Sequence, residues 1–243
     1  MAVKFVNISK EEFLREKLIF KYMPLEYALD TLTNSHLWFA NPVEWNDPFE
    51  KRFITLPYSD GKYFAWKDRV FCSCFTERAT CEAHWNVYAK NDIGIEMTFN
   101  RKKLLEALNK LPYKVYIGRV EYKKTSEIEK PISEIDVIPR IEPSLRKELC
   151  KARLLLLKRI AFEYESEVRI IIVKPKKTKG KGILVKLLNV PNTIFGITID
   201  PKVGKLTYEM LRNKFLKLLL RKTNRKYVQQ SNLTKMSVTI IQK

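Results

Sequence analysis

The stretch YESEVRIIIVK, residues 164–174, decides the reading of the fold. Its β-branched residues, Val168 and Ile170 to Val173, give the composition of a strand covered on both faces, which places it in the middle of a sheet. Continued back to Glu163, the two-residue period puts Glu163, Glu165, Glu167 and Arg169 on one face, with Tyr164, Ser166, Val168 and Ile170 on the other. Carboxylates in a row raise one another's pKa and a neighbouring arginine lowers it again. That is a setting for an acid–base or cation-stabilising group. The same row also fits a solvated strand face that makes cross-strand ion pairs in a basic protein.

Upstream, residues 144–162 read as a helix with Leu149, Ala152, Leu156 and Ile160 on one side and Pro143 next to a serine cap. Residues 124–141, with two prolines and alternating charges, read as a surface insertion. KVYIGRVEYK (114–123), GIEMTF (94–99), RVFCSCFT (69–76), HLWFA (36–40) and LIFKYM (18–23) read as strands. Helices are expected around 24–34, with Asn34 as C-cap, and around 81–90 and 101–111. Residues 10–18 form a polar amphipathic opening, and NPVEWNDPFEK (41–51) is a loop of defined turns. Downstream, GILVKL (182–187), TIFGITID (193–200) and SVTIIQK (237–243) are strands, with a helix at 208–220. Helices and strands mixed in this order predict an α+β fold with a split, strongly twisted mixed sheet flanked by helices.

A hydrophobic content of 45% over 243 residues supplies one core, so a single domain over 1–243 is expected, with a core at about 10–200 and a strand–helix–strand lobe at about 201–243. No stretch reaches the apolar length of a membrane span, and the charged N-terminus does not resemble a secretory signal. Cys72, Cys74 and Cys81 are crowded together, which is no disulfide framework, so a reducing, cytoplasmic setting is expected. The net charge of +19 is concentrated at the C-terminus, where eleven basic residues follow Pro201 against Glu209 alone. Lys214, Lys217, Arg221, Lys222, Arg225 and Lys226 are the candidate contacts to nucleic acid or to an acidic protein. The same charge also fits ordinary solvated lysine-rich faces.

Asn46, Asp47 and Pro48 follow the aromatic pair Trp38 and Phe39. The side chains of Asn46 and Asp47 can close their own turns, or their loop can cover a ligand whose flat ring stacks on Trp or Tyr. The grouping of Cys72, Cys74, Cys81 and His84 lacks the spacing of a zinc knuckle, so buried thiols are expected and no metal. No glycine-rich phosphate loop or nucleophile elbow is present, and two histidines leave few options for histidine catalysis.

Lys21-Tyr22, Asn46 to Glu50, Cys74 to Thr76, Trp85, Tyr88 and Ala89, and Tyr164 to Arg169 occur in the order that marks the bacterial family known as domain of unknown function 2971. The chain resembles that family from about Ile19 to Ile172, with Thr76 in place of the usual serine. The motif order is similar to that of the ADP-ribosyltransferase fold, which implies NAD as the bound dinucleotide. On that resemblance Lys21 or Tyr22 would orient the dinucleotide, and Trp38 or Tyr88 would stack on nicotinamide. Glu165 or Glu167 would stabilise the ribosyl cation, with Arg169 as an orienting partner. The expected function is then an ADP-ribosyltransferase-like effector, a toxin or an anti-phage protein, that modifies nucleic acid or a nucleic-acid-associated protein. A non-enzymatic nucleic-acid-binding module, or an interaction domain for an acidic partner, is the alternative.

Overall fold

Why the strand at Glu167–Val173 becomes the centre of the sheet is visible in its burial: all seven residues are buried, as expected for a strand paired on both sides and covered on both faces. The computed structural model describes residues 2–55, 64–79, 81–88, 92–129, 143–187, 190–219 and 227–233. In chain order the elements are β1 (Lys4–Val6), α1 (Lys10–Arg15), β2 (Leu18–Pro24), α2 (Leu25–Asn34), β3 (His36–Ala40), α3 (Pro48–Thr55), β4 (Val70–Thr76), α4 (Glu82–Tyr88) and β5 (Gly94–Asn100). They continue with α5 (Arg101–Leu108), β6 (Lys114–Arg119), β7 (Glu121–Lys123), α6 (Thr125–Ile128), α7 (Pro143–Leu154), β8 (Leu157–Arg159), β9 (Glu167–Val173), β10 (Gly182–Lys186), α8 (Val190–Thr193), β11 (Ile194–Ile199), α9 (Lys205–Leu219) and β12 (Tyr227–Gln230).

The fold is mixed α+β. One ten-stranded mixed sheet runs β1-β6-β9-β4-β2-β5-β11-β12, with β3 and β10 branching from β4, and β7 pairs β8 in a separate two-stranded ladder. The sheet forks at β4. Its neighbour β2 joins it only at Phe20↔Thr76, while β3 joins it only at Ala40↔Cys72. Between those two points the strands diverge, and the wedge they leave is where the cavity described below lies. Phe215 and Leu219 of α9 and Val228 of β12 belong to the same apolar cluster as β5 and β11.

Several local readings are corrected. The helix expected through residue 162 stops at Leu154, and the chain then forms β8 and a 3₁₀ turn over Ile160–Glu165. Two tertiary contacts explain the stop. The Leu155 carbonyl accepts from Arg169 Nη1 at 2.6 Å, and Leu156 lies so close to Gly118 that a Cβ there would meet its side chain at 2.2 Å. The central strand begins at Glu167, because Ser166 adopts a left-handed conformation (φ 43°) that separates it from the 3₁₀ turn. Glu163 and Glu165 therefore do not share a strand face with Glu167, and Glu163 is exposed. The segment 41–51 is not simply a loop. Pro42–Glu44 is a 3₁₀ turn, and Pro48 opens α3 with the Asp47 carboxylate accepting from Phe49 N at 3.0 Å as its cap.

KVYIGRVEYK divides at Val120 into β6 and β7, which belong to different sheets. Ser35, at φ 58°, and not Asn34, is the C-cap of α2. The opening at 10–18 holds α1 with a Ser9–Glu12 capping box, and β1 and β12 were not anticipated. Of the expected insertion at 124–141, Thr125–Ile128 is helical, whereas residues 130–142 and the expected strand at 237–243 lie outside the described residues.

Candidate functional site

Every strand at the fork contributes to one cavity of about 590 Å³. β2 lines it from Phe20 to Pro24, β3 through Trp38 and Ala40, and β4 through Cys72, Cys74, Phe75 and Thr76. α4 adds His84, Val87 and Tyr88. The stretch from Glu44 to Pro48, with Glu50 of α3, covers another side. Lys158 and Arg159 of β8, Phe162 and Glu165 of the turn, and Glu167 and Arg169 of β9 complete it. The cavity thus brings together Lys21, Tyr22, Trp38, Asn46, Asp47, Tyr88, Glu165, Glu167 and Arg169, all nine of the catalytic and dinucleotide positions singled out in the sequence.

The row of acidic residues is not a solvated face, because Glu165, Glu167 and Arg169 are all buried. Arg169 grips Glu167 with two parallel bonds, Nε to Oε1 at 2.9 Å and Nη2 to Oε2 at 2.8 Å. Its Nη2 also donates to Glu50, and its guanidinium lies 4.2 Å from the centre of the Trp45 ring. Lys158 Nζ sits among three carboxylates, at 2.6 Å from Glu165, 3.2 Å from Glu167 and 3.8 Å from Glu50. Burial opposes the charge of Lys158, yet Glu167, Glu50 and Glu165 together hold its pKa above the usual lysine range.

Glu165 and Glu167 are set apart by these partners. Burial works against ionising Glu167, but Arg169, Lys158 and the Cys74 thiol overcome it and hold the carboxyl far below the ordinary range. Glu165 is pushed up, first by burial and then by the negative charge of Glu167, with only partial relief from Lys158. Among the described residues Lys158 is the one hydrogen-bond partner of the Glu165 side chain. The Glu165 backbone is pinned by Thr76, whose hydroxyl donates to the Glu165 carbonyl at 2.6 Å. A serine hydroxyl at position 76 offers the same donor, so the departure from the family pattern keeps the chemistry. The two neighbouring carboxyls thus have oppositely shifted pKa values: Glu167 is clamped by Arg169 and Lys158, Glu165 is held by Lys158, and both line the cavity.

On β2, Lys21 Nζ donates to the Cys74 carbonyl at 2.9 Å and lies 5.2 Å from the Phe75 ring centre. Burial lowers its pKa. Tyr22 offers the cavity only its ring, since its hydroxyl donates to Glu96 at 2.5 Å and accepts from Cys81 N at 3.1 Å. Asp47 is occupied as well, capping α3 and pairing with Arg159 at 3.2 Å, whereas Asn46 is exposed at the rim. Trp38 is half-buried beside Tyr27 and packs so tightly on Gly182 that a Cβ there would meet the indole at 2.3 Å. His84 stacks on Tyr22 at 4.8 Å, and burial depresses its pKa to about 4, so the imidazole is neutral at physiological pH.

Sequence reasoning missed Lys158, Arg159, Glu50 and His84 as members of the site. Glu50 carried a signal, since it closes the motif that starts at Asn46; Lys158 carried none. Lys214 and Lys217 are exposed on α9, far along the chain from the cavity-lining residues, whereas Arg221, Lys222, Arg225 and Lys226 lie outside the described residues. Among the described residues no cluster of side chains suits a metal ion, and no helix is long and apolar enough to cross a membrane.

The family described as Protein of unknown function (DUF2971) matches residues 84–170, a span that holds His84, Tyr88, Lys158, Glu165, Glu167 and Arg169. The resemblance read from the motifs is found over that span. No curated protein matches the chain in sequence. Among solved structures, Thermus sp. 2.9 DarT in complex with NAD+ is similar at a TM-score of 0.39 and 11% identity, with 89% of this chain and 96% of that chain covered. The same protein in complex with ADP-ribosylated ssDNA is similar at a TM-score of 0.38, with 92% and 96% covered. Likenesses this distant assign no role to any residue.

Proposed function

We propose that the protein is an NAD-consuming enzyme of the ADP-ribosyltransferase kind, with an ADP-ribosyltransferase-like core built on the forked sheet. The observation that carries this reading is the presentation of Glu165, the one carboxylate of the cluster left free of arginine, at the wall of an aromatic-lined cavity between β2 and β4. Trp38, Phe75 and Tyr88 supply flat apolar surfaces suited to a nicotinamide or adenine ring. Lys21, which also lines the cavity, supplies a cation suited to a diphosphate. In that arrangement the Glu165 carboxylate faces the ribose carbon from which nicotinamide departs, and its fixed negative charge favours the cation-like transition state over the ground state.

An effector role, as toxin or anti-phage protein, belongs to the same proposal, as does an acceptor that is nucleic acid or a nucleic-acid-associated protein. The test is nicotinamide release from NAD, with and without DNA or RNA. Wild type is expected to release nicotinamide, and Glu165→Gln to lose the activity by about a hundredfold or more while keeping its circular dichroism. Equal release by both proteins would sink the assignment of Glu165.

One observation favours a second reading. The exposed lysines of α9 suit a module that binds nucleic acid without chemistry. That module would bind with steep salt dependence, and Glu165→Gln would bind as wild type does.

A further inference from the structure

The β7–β8 ladder is only three residues long in each strand, and besides burying Leu157 in an apolar cluster it places one charged side chain. Tyr122↔Lys158 is its central register pair, and the Tyr122 hydroxyl accepts from Glu167 N at 2.9 Å, which ties the ladder to the first residue of β9. Lys158, the middle residue of β8, thereby reaches into a cluster with three carboxylates and only one other cation, Arg169. Arg169 is spent on Glu167 and Glu50. The Glu165 side chain has Lys158 as its one hydrogen-bond partner among the described residues, and Arg169 helps it only through space.

We propose that Lys158 is a positioning residue of the carboxylate site: its ammonium, delivered by β8, holds Glu165 against the repulsion of Glu167 and keeps it aimed into the cavity. The proposal rests on the NAD-consuming reading for its catalytic meaning, and on the geometry alone for its electrostatic one. The charged groups facing Glu165 are Lys158 from β8 and Glu167 and Arg169 from β9, and Glu50 of α3 shares Lys158 and Arg169 with them. Three phenols also face it, Tyr88 of α4, Tyr122 of β7 and the adjacent Tyr164, and burial pushes each above its ordinary range, so they stay neutral as Glu165 titrates. Without Lys158, Glu165 would protonate more readily, and the acid limb of any activity that needs its carboxylate would move to higher pH.

Two readouts on the full chain test this. The first is the pH profile of nicotinamide release by wild type, Lys158→Met and Lys158→Arg. The methionine variant should lose about tenfold near neutral pH and regain part of the loss at alkaline pH, and the arginine variant should return the acid limb toward its wild-type position. The second is the titration of the Glu165 carboxyl by carbon NMR, assigned by its disappearance in Glu165→Gln. Its midpoint should rise in Lys158→Met, or in Lys158→Gln if the methionine variant does not fold. An unmoved midpoint with a uniform loss of rate at all pH values overturns the proposal. If wild type releases no nicotinamide but the midpoint shifts, the NAD reading fails and the positioning role stands.

Discussion

The cavity wall and the outer face of α9 both carry charge, and they use it in opposite ways. At the wall, Glu50, Glu165, Glu167, Lys158 and Arg169 are buried and nearly balanced, and each of these two cations touches at least two of the carboxylates. On α9, Lys205, Arg212, Lys214 and Lys217 are exposed and belong to the excess that makes the chain +19. Buried charges must be paired because desolvation is costly, so each one fixes the position of its neighbours. Exposed charges fix no geometry, but they add to a field that acts at a distance and fades with salt. The net charge therefore says little about where the chemistry lies.

The most damaging way to break the wall is to remove Arg169. Arg169→Met keeps the side-chain bulk but leaves Glu167 and Glu50 with Lys158 as their shared cation and strips the Leu155 carbonyl of its donor. A loss of about 3–5 kcal/mol is expected in chemical denaturation. A loss below about 1 kcal/mol would mean that the cluster is solvated and that its geometry does not depend on the guanidinium.

How much of this wall can be read from the chain alone follows from what each residue depends on. The centre of the sheet was legible because Val168 and Ile170 to Val173 are β-branched, as a strand covered on both faces favours. Glu165, Glu167 and Arg169 were legible as a group, although the strand does not begin where the alternation does: the left-handed Ser166 intervenes, and no glycine announces it. Lys158 was hidden. The run from Leu149 to Ile160 keeps a helical spacing, so Lys158 reads as a solvated helix lysine. The helix ends because Gly118 admits Leu156 and Arg169 claims the Leu155 carbonyl, contacts that come from far along the chain. Asp47 and Pro48 read as a turn because a helix cap and a turn use the same residues. The sheet's fork, which makes the cavity, depends on two single-residue junctions that no local pattern encodes.

A smaller effect separates the two glutamates. Glu167 is held below the ordinary carboxylate range, so its share of stability is present above its unfolded pKa, about 4, and is lost as pH falls toward the folded value. Glu148, bound by Lys114, Tyr116 and Lys4 with its pKa drawn down to about 2, has the same sign. Glu165 has the opposite sign. Its pKa is raised in the folded protein, so its share is present below the unfolded pKa and is lost as pH rises through the folded one. Glu165→Gln is therefore expected to stabilise the protein near neutral pH by about 1 kcal/mol, at the expense of the proposed activity. Thermal unfolding at neutral and acid pH checks this, since the gain should shrink at acid pH. A variant less stable than wild type at neutral pH would show that the Glu165–Lys158 pair is a net structural asset.

The smallest effect on stability belongs to α9, and it sharpens the contrast from the other side. Lys214 and Lys217 are exposed, and among the described residues neither has an ion-pair partner. Lys214→Gln with Lys217→Gln should change unfolding free energy by no more than about 0.5 kcal/mol. Binding of a single-stranded oligonucleotide should respond through salt instead. If both lysines contact phosphates, the slope of log affinity against log salt should flatten by about 1.4 in the double variant, with no preference gained or lost among sequences. An unchanged slope would remove this face from the polyanion contact and leave the +19 charge as a property of solubility. A flattened slope combined with unaltered nicotinamide release would make α9 a docking surface whose work is independent of the cavity wall.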